Sequence, residues 1–163
     1  MSAAILSNAS SVFKAMLKPR FKEGSALAVT TNAVEIPLPD DNARAMTIIC
    51  QVMHLRNDLV HEVANDSTAM VLRVAELSDK YDCTIALEPT VRHWLACSVK
   101  VLSTTERQDL LTAAYYFGNG VAFADIGRSL LVDTSRSQYH LSRVGHSNNA
   151  APLHKLFGTV HSL

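Results

Sequence analysis

Cysteine is scarce in this chain: three in 163 residues, Cys50, Cys83 and Cys97, too few and too far apart for a disulfide framework. Each stands among apolar neighbours, where a free thiol behaves as a small buried hydrophobe. A reducing home in the cytoplasm, the nucleus or both is therefore expected. Net charge is absent as well, fifteen Lys+Arg balancing fifteen Asp+Glu. That balance speaks against a general electrostatic grip on nucleic acid or an anionic membrane, so neither is an expected partner. Apolar runs stay well below the roughly eighteen residues of a membrane-spanning helix. At the start, Ser7, Asn8, Ser10 and Ser11 interrupt the apolar stretch, which reads against a leader peptide. The Asn-x-Ser sequons at Asn8 and Asn65 are then expected to stay unmodified. Phosphate-binding glycine loops are missing too. Gly118-Asn119-Gly120 has neither the later glycine of a dinucleotide loop nor a Gly-Lys-Ser/Thr, and reads as a turn.

What is present is enough apolar material for one core, 48% hydrophobic against 18% charged residues. Val12, Phe13, Met16 and Leu17 make one face of a short helix that Pro19 stops. A charged turn from Lys18 to Glu23 leads through Gly24 into segments of β character, Ala28–Thr31 and Val34–Leu38, with Asn32-Ala33 as the turn between them. Pro37 marks the second as an edge strand or a strand end. Asp40 and Asp41 offer an N-cap for a helix to about Arg56, apolar nearly all round and so central. Residues from Asn57 to Asp66 read as a loop or short strand.

Ser67 to Tyr81 is amphipathic, with Met70, Val71, Val74, Leu77 and Tyr81 on one face and Arg73, Glu76 and Lys80 on the other. Pro89 sits where a first helical residue would, and Val91, Trp94, Leu95 and Val99 continue that stripe. Ser103-Thr104-Thr105-Glu106 matches a capping box, and Gly118 is placed as a helix stop. Phe123, Ile126, Leu130 and Leu131 suggest a last helix to about Val132. Beyond it the pattern dissolves into a flexible tail, residues 134–163, with a short helical turn near Leu153 to Phe157. The domain proper is residues 1–133, and the expected fold class is α+β, mostly α-helical, with a small β-sheet.

Three sets of residues suggest chemistry. Cys50 and His54 share a helical face, with Asp58 one turn further on, the outline of an activated cysteine. The same helix is apolar nearly all round, which buries the thiol and raises its pKa. Cys83, His93 and Cys97 have a spacing that two helical ligands and a third could use for zinc, with no CxxC and no HExxH to support it. The histidines at 140, 146, 154 and 161 fit no known ligand spacing. No cofactor and no catalytic role are expected, with a small Cys/His-dependent enzyme and a zinc-organised module as the alternatives.

The order of features carries more than any one of them. Ser10-Ser11-Val12-Phe13-Lys14-Ala15-Met16-Leu17, then Phe21-Lys22-Glu23-Gly24, then Val34-Glu35-Ile36-Pro37-Leu38-Pro39-Asp40-Asp41, resembles the BTB/POZ domain. That family carries an S-x-x-F-x-x-M helix, an F-x-E turn, an I-x-L strand and an acidic helix start in this order. Val74 to Cys83 is similar to the family's L-A-x-x-A-D-K-Y helix, and the His54 and Trp94 helices resemble those of fungal BTB proteins. The likeness covers roughly Ser10 to Trp94, more loosely to Phe123. A complete BTB domain opens with a β-hairpin and a helix of which Ala4-Ile5-Leu6 would be the end, so the expected domain is a truncated one. The resemblance implies a protein–protein interaction module that pairs with itself or with other BTB chains, or binds a cullin-type scaffold for ubiquitin ligation. In cullin-binding members an apolar-x-Glu motif contributes to the contact, and Phe21-Lys22-Glu23 matches it. Phe21 and Glu23 are thus the candidate partner-binding residues.

Overall fold

A computed structural model describes residues 1–30, 32–60, 67–96 and 101–143, the side chains of Asn57 and of residues 134–143 excepted. The chain divides into two compact units, Met1–Leu130 and Leu131–Leu163. Among the described residues there are eight α-helices: α1 (Ala3–Ala9), α2 (Ser11–Met16), α3 (Lys22–Ala28), α4 (Ala43–Met53), α5 (Thr68–Lys80), α6 (Thr84–Leu95), α7 (Thr104–Tyr116) and α8 (Gly120–Arg143). A 3₁₀ turn, Asn57–Leu59, follows α4.

The first unit is built around α4, which buries Ala45, Met46, Ile48, Ile49, Cys50, Val52 and Met53 but leaves Arg44 and Thr47 exposed, so it is amphipathic rather than enclosed all round. Helices α1, α5 and α6 pack against it, and α5 makes the most extensive contact of the unit with α7. Small side chains let those two axes approach: Ala75 on α5 and Ala113 and Ala114 on α7 are all fully buried. Leu87 and Trp94 of α6, Leu110 of α7 and Ile126 of α8 complete the interior. Trp94 buries its indole completely, and its Nε1–H finds no acceptor among the described residues.

The expected α+β fold with a small β-sheet is overturned, since no strand occurs among the described residues. Ala28, taken as the start of one strand, is the last residue of α3, and Val29 is its exposed C-cap. Residues 33–38 then form neither helix nor strand. A strand makes its ladder bonds only to neighbouring strands, and with Ala28 and Val29 taken into the end of α3 the second segment has none beside it among the described residues. Pro37 removes a further donor. Thr31 lies outside the described residues, as do residues 61–66 of the expected loop or strand.

Helix ends also differ in detail. Asn42 rather than either aspartate caps α4, its Oδ1 accepting from Ala45 N–H at 2.9 Å. Pro89 is not the first residue of α6 but lies inside it, the helix having started from Cys83 and Thr84. The capping box of α7 forms in both directions, Ser103 N–H to Glu106 Oε2 at 2.7 Å and Glu106 N–H to Ser103 Oγ at 3.2 Å. The last helix runs to Arg143 instead of about Val132 because neither glycine nor proline stands between Gly127 and Gly145 to end it. Residues 144–163 of the expected tail lie outside the described residues.

Three helices close in the same way. After α4, Leu55 N–H bonds Val52 O and Arg56 N–H bonds Gln51 O. After α5, Asp82 bonds Asp79 and Cys83 bonds Ser78; after α7, Gly118 bonds Tyr115 and Asn119 bonds Ala114. Each is a Schellman closure with one residue in the left-handed region: Leu55 at φ 60°, Asp82 at φ 47° and Gly118 at φ 67°.

Candidate functional site

Some of the residues on which the BTB/POZ resemblance rests come together. Ser10 caps α2, its Oγ accepting from Phe13 N–H at 2.9 Å while donating to the carbonyl of Tyr81 at the end of α5. Ser11 Oγ donates to the carboxylate of Asp82. The Phe13 ring stacks on Tyr81 with centroids 4.6 Å apart and planes 9° from parallel. The Tyr81 hydroxyl and the Lys80 ammonium both donate to Asp41, and Lys80 also lies 5.4 Å from the Tyr81 ring centroid. Thus Ser10, Phe13, Asp41, Lys80 and Tyr81, drawn from three separate motifs, form one node that ties α2 and the approach to α4 onto the end of α5.

Burial sets the electrostatics of that node. The Asp41 side chain is 3% exposed. Burial alone would push its carboxyl upward, but the bonds from Lys80 and Tyr81 and the charge of Lys80 together outweigh it and hold the group below the usual carboxylate range. The Tyr81 hydroxyl moves the other way, raised by burial and then by its bond to the ionised Asp41. The side chains of Ser10, Asp41, Lys80 and Tyr81 in this node are each bonded to a neighbour, so the node clasps the helices together.

Phe21 is the N-cap residue of α3 and 41% exposed, with the Arg20 guanidinium 5.0 Å from its ring centroid. Glu23 stands in the first turn of the same helix, half-buried. One helical turn positions both beside Gly24, which lies hard against the α2–α3 turn: a Cβ there would stand 2.0 Å from the Lys18 carbonyl oxygen.

The Cys50–His54–Asp58 set does not assemble. His54 Nδ1 lies 2.7 Å from the carbonyl oxygen of Cys50, and its Nε2 accepts from Ser2 N–H at 3.0 Å, so both ring nitrogens serve the backbone. Asp58 pairs with Arg56 through two bonds of 3.0 and 2.9 Å. Burial raises the Cys50 thiol. It pushes Cys83 up to about 12, with Cys50 and Asp82 adding to the effect. Buried, neutral thiols are poor nucleophiles. Of the zinc set, Cys83 is buried at the cap of α6, His93 is exposed, and Cys97 lies outside the described residues. Among the described residues no three His, Cys, Asp or Glu side chains gather around a point that could hold a metal. The side chain of His140 and all of His146, His154 and His161 also fall outside.

A feature the sequence reading missed lies along α6. A groove of about 660 Å³ runs between this helix and the α7–α8 corner, floored by Val91, Leu95 and Phe117. Glu88 and Arg92 stand along one edge, paired to each other, and Val121 and Asp125 along the opposite one. Ile85, one turn before Glu88 on the same stripe, is 90% exposed. Starting α6 at Pro89 hid this stripe. The spacing of Thr84, Glu88 and Arg92, four apart, was the signal that could have shown it. Such a surface can recognise an apolar, charge-bearing helix. Among the described residues no helix is long and apolar enough to cross a membrane. Comparison with family models, with curated proteins and with solved structures finds no match.

Proposed function

We propose that this chain is a non-catalytic protein–protein association module related to the helical part of the BTB/POZ domain. It pairs with its own copies or other BTB chains and serves as an adaptor toward a cullin-type ubiquitin ligase scaffold in the cytoplasm or nucleus. One observation carries the reading: motif residues scattered from Ser10 to Tyr81 meet in a single buried clasp. Residues that resemble a family's pattern by accident have no reason to touch one another. No sheet occurs among the described residues, which limits the likeness to the helices. Support for the non-catalytic part comes from the Cys50 and Cys83 thiols, which burial keeps protonated, and from His54, whose two nitrogens face backbone groups. Phe21 supplies an exposed aromatic anchor and Glu23 a nearby carboxylate to orient it, the usual division of labour at an interface centre and rim.

The test is a titration of the purified chain with a cullin N-terminal domain and with isolated BTB domains by calorimetry, beside a light-scattering concentration series. Binding or self-association is expected, and Phe21→Ala is expected to weaken cullin binding by at least about tenfold with the helical spectrum unchanged. A chain that stays monomeric and binds neither probe overturns the proposal.

A further inference from the structure

The groove beside α6 is distinct from the clasp and from Phe21 and Glu23. We infer that it is a self-docking surface: two copies of this chain pair their α6 helices antiparallel about a two-fold axis that passes between Glu88 and Arg92, level with Thr90 on the far side of the helix, each closing the other's groove. This rests on the association-module reading and gives it a surface and a partner, a second copy of the chain.

A two-fold contact requires a self-complementary strip, in which whatever precedes the axis in one copy fits whatever follows it in the other. Helix α6 has that property about Thr90. Glu88 of each copy comes opposite Arg92 of the other, so opposite charges meet twice. Ile85 comes opposite Leu95, which sets an apolar side chain that is 90% exposed over the buried floor of the partner groove. Thr84 comes opposite Ala96, small against small. These positions form one stripe, while Leu87 and Trp94 point into the core and take no part.

The intrahelical Glu88–Arg92 pair is largely solvent-exposed in the single chain, where such pairs contribute little. A second copy turns it into a four-charge square. A purely acidic or purely basic partner would leave one of the two charges facing its like, which is why the chemistry favours a copy over an unrelated peptide. Val121, 76% exposed across the groove, extends the apolar edge. A helix of 12 residues spans only roughly 18 Å. The pair therefore sits at the small end of specific interfaces, with a dissociation constant on the order of 10 μM.

Sedimentation velocity over about 1 to 100 μM tests this around the expected midpoint. The unaltered chain is expected to pass from monomer to dimer. Ile85→Asp, Glu88→Arg and Arg92→Glu are each expected to stay monomeric with unchanged helical circular dichroism, their side chains being exposed. An equimolar mixture of the Glu88→Arg and Arg92→Glu chains restores both ion pairs between unlike copies and is expected to recover the dimer. A monomeric unaltered chain overturns the inference, as does a dimer that survives all three variants. The second result leaves the association module standing on another surface. Monomer together with no binding of cullin or BTB probes removes both.

Discussion

Asp41 shows how one carboxylate organises its surroundings. Its folded pKa lies below the unfolded value of about 3.9, so its contribution to stability is complete above that value and is lost as pH falls through the folded pKa. Tyr81 behaves as the mirror image: its raised pKa gives a contribution present below about 10 and lost as pH climbs toward the folded value. Asp41→Asn is expected to destabilise the chain by about 1–3 kcal/mol at neutral pH, with the gap closing in denaturant titrations below about pH 4. An unchanged gap at acid pH would contradict the clasp. Sequence alone marked Asp41 as a helix cap, since an acidic residue before an apolar stripe fits that role. Its partners Lys80 and Tyr81 lie some forty positions away, and nothing local reveals them. Leu55 is the opposite case, a branched residue at φ 60° with its side chain 82% exposed. Leu55→Gly removes backbone strain without losing packing, and should raise stability by about 0.5–1 kcal/mol in thermal melts.

Among the elements, ends decide more than middles. Three Schellman closures use Leu55, Asp82 and Gly118, and only Gly118 is legible as a stop because only glycine takes that conformation without penalty. The bodies of α4, α5 and α7 follow from apolar periodicity, and the Ser103–Glu106 box is readable from its spacing. Ser103→Ala should lower stability by about 1 kcal/mol in urea titration. The two expected strands failed because β-branched residues describe a fit to a pleated surface, and no such surface exists among the described residues. Gly24 is the tightest joint between elements: any side chain meets the Lys18 carbonyl. Gly24→Ala is expected to cost about 1–3 kcal/mol and to detach α3 from its turn, read as faster amide exchange over residues 18–28.

At the level of the whole molecule, Cys50 and Cys83 share one environment. Cys50 and Cys83 sit inside the first unit, so alkylation at these two positions should track global unfolding and remain slow in the native chain at pH 7 to 8, as mass-resolved iodoacetamide labelling would show. Fast labelling of Cys50 in folded protein would revive a nucleophilic role. The candidate surfaces were half legible. Phe21 and Glu23 could be read from a local pattern, whereas the α6 groove needs the α7–α8 corner, which contributes its opposite wall only once the chain has folded. Trp94 adds a built-in optical reporter. As the single tryptophan, fully desolvated and with an indole N–H that bonds to nothing among the described residues, it should emit at unusually short wavelength and shift to the red as the core opens. It shares α6 with Ile85 and Glu88 but faces the other way. Its fluorescence would therefore stay constant while two copies meet along the outer stripe, so that one sample separates assembly, seen by mass, from unfolding, seen by colour.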